Sequence, residues 1–132
     1  MKGTIISIAI AVTLIVGALF LANKNDVTDN LSLNTNANNV SIVDGKQIIE
    51  ITARGGYQPR KSTAKEGIPT IIRFNTSGTF DCSSAVRIPG LNISRSLPQT
   101  GTTDIDIGIQ KVSVMRGTCG MGMYPFEIDF QS

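Results

Sequence analysis

The residues best equipped for chemistry in this chain are four sulfur-bearing side chains. Three of them, Cys119, Met121 and Met123, lie close together near the C-terminus, with a glycine after each of the first two. The fourth is Cys82, the only other cysteine, and the chain has no histidine. Thiolate and thioether ligands select Cu(I) over hard cations, and glycine permits backbone angles that can turn neighbouring side chains towards one point. These residue types favour a site for a soft metal ion, with copper as the leading candidate.

The two cysteines also have a plain structural interpretation. They are far apart in the sequence and form no Cys-x-x-Cys pair, so zinc-finger and haem-attachment spacings are absent. A disulfide between them would suit an exported domain and would stabilise it by about 4 kcal/mol through loop entropy. Methionine often only fills a core, and Met115, in a strand-like run, is interpreted in that way. The residue types alone leave both metal ligation and a disulfide open.

Enzymatic and nucleic-acid functions find little support. Without histidine, neither a Cys-His pair nor a Ser-His-Asp triad can form. The acidic pairs Asp104/Asp106 and Glu127/Asp129 alternate with apolar residues, which indicates the solvated faces of half-buried strands. The 12 Lys and Arg residues, against 10 Asp and Glu, are scattered without a basic run. We therefore expect a protein that is not an enzyme and does not bind nucleic acid.

Residues 1–22 are predicted to form a membrane anchor. The uncharged run at 4–22 would reach about 28 Å as a helix, close to the thickness of a bilayer core. A cleaved signal peptide, the alternative, would have a shorter apolar stretch and a clean small-x-small site. Residues 23–42 are rich in Asn, Thr, Ser and Asp and are predicted to be a flexible tether. We expect the rest of the chain to face the periplasm or the cell exterior.

Residues 43–132 are predicted to form one all-β domain. From about Val40, short β-branched runs are broken by Gly, Pro, Asn and Ser, which is typical of a sandwich or barrel. Alternation of apolar and acidic residues is clearest at 102–107 and 125–130. The predicted strands are 47–53, 69–75, 85–88, 102–107, 111–115 and 125–130.

Three motifs resemble those of the cupredoxin-like domains of bacterial membrane-anchored Cu(I) chaperones and copper-handling proteins. They are YQP at 57–59 with GIPTIIRF at 67–74, FDCSSAV at 80–86 followed by IPGL at 88–91, and CGMGMY at 119–124. The last is similar to the final loop of such chaperones and of cupredoxin domains linked to copper-exporting P-type ATPases. The resemblance covers roughly 47–130 and implies a Greek-key β sandwich.

The same resemblance implies a set of metal ligands. Cys82 matches the first ligand, Cys119 the thiolate of the final loop, and Met121 and Met123 its thioethers. Blue-copper sites use two histidines with one cysteine, and this chain contains no histidine. The ligand set therefore favours a protein that holds Cu(I) over one that transfers electrons. We therefore expect a membrane-anchored extracytoplasmic protein of copper homeostasis, with a copper-exporting P-type ATPase as the implied partner. The alternatives are a disulfide-stabilised structural or interaction domain without metal, and an electron-transfer cupredoxin with an atypical ligand set.

Overall fold

The computed structural model describes residues 39–132. These residues form β-strands and two short 3-10 helices, which confirms the all-β prediction for this part of the chain. None of their helices is long and apolar enough to cross a membrane. The predicted anchor, residues 1–22, and the predicted tether up to residue 38 lie outside the described residues.

Ten strands build the described domain. They are β1 (Val40–Val43), β2 (Lys46–Ala53), β3 (Tyr57–Gln58), β4 (Lys61–Lys65), β5 (Pro69–Thr76), β6 (Ala85–Ile88), β7 (Ile93–Ser96), β8 (Gly101–Ile109), β9 (Ser113–Cys119) and β10 (Pro125–Gln131). The 3-10 helices are Cys82–Ser84 and Pro89–Leu91.

The strands form two mixed sheets. The first has the order β1-β2-β5-β8, with β3 paired to β2, and the second has the order β4-β10-β9-β6-β7. Each sheet contains one parallel pair, β2 with β5 and β10 with β4, and the remaining pairs are antiparallel. The predicted Greek-key connectivity stays a prediction.

The two sheets contribute to one hydrophobic core. Alternate residues of β2, β5 and β10 are buried, as a period of two along a half-buried strand requires. Phe74 of the first sheet and Phe126 of the second meet edge to face at 5.7 Å between ring centroids. The Tyr57 ring packs against both, at 5.9 Å from Phe74 and 4.9 Å from Phe126. This aromatic cluster joins the inner faces of the two sheets.

Five of the six predicted strands match observed ones to within two residues at each end. The sixth, predicted at 111–115, is displaced, because β9 begins at Ser113 and continues to Cys119. In the β9-β10 ladder Gly117 lies opposite Phe126, whose ring occupies the space where a Cβ on Gly117 would stand. Glycine disfavours strands by its intrinsic propensity, and this cross-strand contact overrides that preference.

Four short strands, β1, β3, β4 and β7, were not predicted from the sequence. Their residues are largely exposed or small: β4, for example, reads KSTAK and buries only Ser62 and Ala64. Such edge strands depend on pairing with a neighbour more than on apolar alternation of their own. β1 places residues 40–42, the last three of the predicted tether, in the first sheet.

Candidate metal centre

The structure brings Cys82 and Cys119 together across the second sheet. Cys119 is the last residue of β9 and is fully buried, whereas Cys82 opens the 3-10 helix that precedes β6 and is partly buried. β6 pairs with β9 so that Val86 lies opposite Cys119, which carries the preceding helix towards the end of β9.

The two cysteines, 37 positions apart, have their Cα atoms 5.6 Å apart and are joined by a disulfide. The structure therefore contains the bond that the sequence left as an alternative to metal ligation. A disulfide and a pair of ligands to one ion both require adjacent sulfur atoms. The assignment of both cysteines as metal ligands stays a prediction.

The loop after β9 folds into a tight turn. The amide N–H of Gly122 donates to the carbonyl of Cys119 at 2.9 Å, and the N–H of Cys119 donates to the carbonyl of Tyr124 at 3.2 Å. Gly122 has a φ of 76°, in the left-handed region that glycine adopts without a steric penalty. The segment is therefore not extended, and its side chains do not alternate as they would along a strand.

The same turn places the loop backbone over the sulfur of Cys82. The amide N–H of Met121 donates to Cys82 Sγ at 3.4 Å. The side chains of Met121 and Met123 are 80% and 60% exposed, so neither fills the core. Met115, by contrast, is 8% exposed, which confirms its interpretation as a core residue. The two thioethers predicted as ligands thus lie at the surface, beside the cysteine pair.

Asp81 holds the Cys82 segment in place. One carboxylate oxygen accepts hydrogen bonds from both the amide and the hydroxyl of Ser83, so Asp81 caps the 3-10 helix. The other carboxylate oxygen accepts from the amide of Gly55 at 2.7 Å. These hydrogen bonds, those from Ser83 first, hold the pKa of Asp81 below its usual value. The carboxylate therefore ties the helix to the turn between β2 and β3.

Tyr57, on the core side, also holds the segment that carries Cys82. Its buried hydroxyl donates to the carbonyl of Ser83 at 3.1 Å. Burial, with a smaller contribution from the charge of Asp81, raises the pKa of Tyr57 above its usual value, so the hydroxyl keeps the proton that it donates. The aromatic cluster of the core is thus connected directly to the backbone that carries Cys82.

The loop after β9 packs closely against its neighbours at two glycines, Gly56 and Gly120. A Cβ on Gly56, whose φ is 118°, would lie 3.6 Å from Cδ1 of Tyr124, so the tyrosine ring rests on the turn after β2. A Cβ on Gly120 would lie 3.3 Å from the Cβ of Ala85. The loop is therefore packed both against the first sheet's turn and against the start of β6.

The supporting residues Asp81 and Tyr57 were not assigned roles from the sequence. Both lie in the motifs that carry the family resemblance, and an aspartate directly before a Cys-Ser-Ser run is a recognisable helix cap. Among residues 39–132, no three His, Cys, Asp or Glu side chains converge in a way that could hold a metal ion. Within that part of the chain, the candidate centre consists of the two cysteines with the two neighbouring thioethers.

No protein-family model matches this chain, and no curated protein sequence matches it. Solved structures do resemble it. One is the crystal structure, with Cu(I), of the metal-binding domain of the Cu(I)-exporting P-type ATPase CopA from Streptococcus pneumoniae. It has a TM-score of 0.64 and 23% identity, and the match covers 70% of this chain and 93% of that domain.

A second similar structure is the NMR solution structure of a copper-binding protein in its apo form. The TM-score is again 0.64, the identity is 22%, and the match covers 70% of this chain and 94% of the other. At such identities the likeness shows a shared fold. The described domain therefore has the fold of β-domains that handle copper in other proteins.

Proposed function

We propose that this protein binds Cu(I) through Cys82, Cys119, Met121 and Met123, and holds the ion for copper homeostasis or transfer. The observation that carries the proposal is the adjacency of the only two cysteines at the foot of a loop that presents two exposed thioethers. The likeness to the metal-binding domain of a Cu(I) exporter and to a copper-binding protein supports it.

The donor set fits a soft monovalent ion. Two thiolates with thioethers match the ligand preference of Cu(I), and the absence of histidine disfavours a blue-copper centre. An uncompensated thiolate at the fully buried Cys119 would be costly, whereas a bound cation offsets that cost. At Cys82, the N–H of Met121 is placed to donate to the sulfur and so to stabilise its negative charge.

The disulfide and the copper-bound form exclude each other. Reducing the bond with two electrons and two protons, supplied by a dithiol that is itself oxidised to a disulfide, releases two thiols. Each thiol then loses its proton when it ligates the ion, because thiolate is the ligand form of cysteine. Copper binding by this site therefore requires the reduced protein.

The wider setting belongs to the same proposal. The uncharged run at 4–22 supports a membrane anchor, and we place the described domain on the periplasmic or outer side of that membrane. A copper-exporting P-type ATPase fits as the partner that exchanges the ion, by analogy with the similar domain of such an exporter. The proposed role is binding and transfer, without catalysis.

A competition titration tests the metal site. The full chain, purified in neutral detergent and reduced, is titrated with Cu(I) against a chromophoric chelator. We expect Cys82→Ser and Cys119→Ser to weaken binding by more than the roughly 10- to 100-fold typical of residues that only support a ligand. Met121→Leu and Met123→Leu should each weaken it within that range, because leucine keeps the shape and removes the thioether.

Met115→Leu is the matched control. It makes the same replacement at a buried methionine away from the candidate centre, and Cu(I) affinity should not change. A reduced wild-type protein that leaves all Cu(I) on the chelator contradicts the proposal, as does a set of cysteine variants that bind as tightly as the wild type.

The disulfide favours a second candidate function. A domain whose two cysteines stay bonded in its working state would be a structural or interaction module without metal. That function predicts a bond that persists under mild reduction and a protein with no Cu(I) affinity even after full reduction. The same titration therefore separates the two candidates.

A further inference from the structure

The end of the domain that carries the two cysteines is rich in unpaired arginine. We call this the sulfur end, and it comprises the segments around residues 54–60, 77–87, 95–100 and 117–125. Four of the chain's six arginines are exposed there: Arg54, Arg60, Arg87 and Arg95. None of the four forms a salt bridge with a carboxylate among residues 39–132, where the salt bridges involve Lys61, Arg73 and Arg116.

The backbone contacts place three of these arginines on segments next to the cysteine pair. Arg54 directly precedes Gly55, whose N–H binds Asp81 beside Cys82. Arg87 lies opposite Thr118, the neighbour of Cys119, and Arg95 lies one strand further out.

The positive charge of the described domain is concentrated at this end. Residues 39–132 contain ten Lys or Arg and eight Asp or Glu, a net charge of +2. The four arginines together with Asp81 contribute +3 of that charge, so the other charged residues sum to −1. Lys61, the lysine nearest this end, is paired with Glu127 at 3.0 Å. The available cations at the sulfur end are therefore all arginine.

The sulfur end also carries exposed apolar and thioether side chains. Phe80 is 77% exposed, and Met121 and Met123 in the loop after β9 are 80% and 60% exposed. Aromatic residues, methionine and arginine are enriched at the centres of protein–protein interfaces, where lysine and the acidic residues are depleted. An anionic lipid surface would be bound equally well by lysine. The arginine, methionine and aromatic side chains therefore favour a protein partner.

We propose that the sulfur end is the docking surface for a protein with an acidic surface around its own Cu(I) ligands. This inference rests on the proposed function, since the partner exchanges Cu(I) with this site. Arginine binds carboxylates through two parallel hydrogen bonds, so carboxylates of the partner orient it as well as attract it. The exposed thioethers of Met121 and Met123 then face the partner's ligands.

Two synthetic peptides test the charge of the partner. Both carry the same Cys-x-x-Cys core, flanked in one by glutamates and in the other by lysines. The full chain, reduced and loaded with Cu(I), is mixed with each peptide, and transfer of the ion is followed by stopped-flow. We expect transfer to the glutamate peptide to be about tenfold faster at low salt, and the advantage to disappear at about 1 M salt, because screening removes electrostatic steering.

Charge reversal locates the surface. The double variant Arg54→Glu/Arg95→Glu should abolish the preference for the glutamate peptide. The control Lys46→Glu/Lys111→Glu makes the same charge change at the opposite end of the sheets, and it should keep the preference. Equal rates for the two peptides with the wild type overturn the proposal, and so does a preference that survives in the arginine variant.

A measurement without metal separates this proposal from the proposed function. Binding of a fluorescent glutamate peptide, with its cysteines replaced by serine, is followed by anisotropy on the reduced, copper-free chain. A chain that takes up no Cu(I) contradicts the proposed function, and the peptide preference is then read from anisotropy alone. If anionic vesicles bind through the same arginines and the glutamate peptide does not, the docking surface is a lipid surface and the proposal is wrong.

Discussion

Both ends of this domain expose large apolar side chains, but they differ in chemistry. At the opposite end, away from the cysteines, the exposed residues are all branched aliphatics: Ile42, Val43, Ile109, Val112 and Val114. At the sulfur end they are Phe80, Met121 and Met123, and the same end carries four arginines that form no salt bridge within residues 39–132. Exposed apolar area alone would mark both ends as sites. Side chains that can donate to a metal ion distinguish them.

The two ends are also held together differently. The loops of the sulfur end are tied by the Cys82–Cys119 bond, by the Asp81 carboxylate and by the Tyr57 hydroxyl. At the opposite end the described contacts are hydrogen bonds: the buried side chain of Gln47 bonds to Lys65 and Thr70, and the Gly67 amide donates to the carbonyl of Gln110. Side-chain hydrogen bonds therefore organise both ends, and the covalent bond with the ionised carboxylate beside it distinguishes the sulfur end.

Reduction of the disulfide is the largest change that we predict. The disulfide closes a loop between residues 37 positions apart. Because reduction gives the unfolded chain back the entropy of that loop, the unfolding free energy of the copper-free protein should fall by about 4 kcal/mol. Urea unfolding of the oxidised and reduced forms measures the difference, with Cys82→Ser/Cys119→Ser as the control that reduction should not affect. Amides that exchange through global unfolding should then lose protection at both ends, whereas amides that exchange by local opening should lose it only at the sulfur end. An equal loss among the locally opening amides of both ends would contradict a local role of the bond.

Gly117→Ala should destabilise the protein by about 1–3 kcal/mol. The new Cβ would overlap the Phe126 ring, which is fixed by its contacts with Tyr57 and Phe74. Denaturant unfolding of the oxidised protein measures the loss. Gly90→Ala, at the opposite end, is the matched control, because its Cβ would meet no atom within 4 Å. Equal losses from the two substitutions would contradict the packing described for β9.

Asp81→Ala should cost about 1 kcal/mol, the usual effect of removing a helix cap. It leaves the amides of Gly55 and Ser83 without their carboxylate acceptor. Asp106→Ala, the control nearer the opposite end, removes one local hydrogen bond to Gly108 and should cost less. Thermal or urea unfolding gives both values, and the reverse order would contradict the role of Asp81 in holding the Cys82 segment in place.

The smallest effect that we predict is a pH dependence in the first sheet, outside both ends. Hydrogen bonds from Arg73 hold the pKa of Asp104 below its usual value. The pair therefore adds stability at pH values above the unfolded pKa of about 3.9, and that stability is lost as the pH falls through the lower folded pKa. Unfolding of wild type and Asp104→Asn from about pH 6 to about pH 2 should converge in acid. A constant difference in stability between wild type and Asp104→Asn at every pH would contradict the contribution of this ion pair.

Much of the fold could be predicted from the sequence, because strands that bury one face show it in their alternation. Residues 102–107 and 125–130 are the clearest cases, and β8 and β10 contain them. Edge strands such as β4 and the glycine within β9 could not be predicted, since their conformation depends on a neighbouring strand or ring. The cap that Asp81 forms with Ser83 has a local signal in the sequence, whereas its hydrogen bond from Gly55, 26 positions away, has none.

The candidate site could be predicted as a set of residue types and not as an arrangement. Sulfur donors with interspersed glycines favour a soft-metal loop, and metal binding by these residues stays a prediction. That Cys82 meets Cys119 depends on the pairing of β6 with β9, and the exposure of Met121 and Met123 depends on the turn at Gly122. Neither the pairing nor the turn leaves a periodic signal in the chain.

Thiol alkylation, measured together with bound copper, shows whether Cys82 and Cys119 are the copper ligands. The full chain is fully reduced, divided, and alkylated with and without Cu(I), and copper is counted in the same samples. In the copper-free sample we predict that both thiols react, the partly buried Cys82 faster than the fully buried Cys119. We predict no reactive thiol in the loaded sample and no copper on a sample left oxidised. Copper that binds while both thiols still react, or equal copper on the oxidised and reduced samples, would contradict a Cu(I) site built on Cys82 and Cys119.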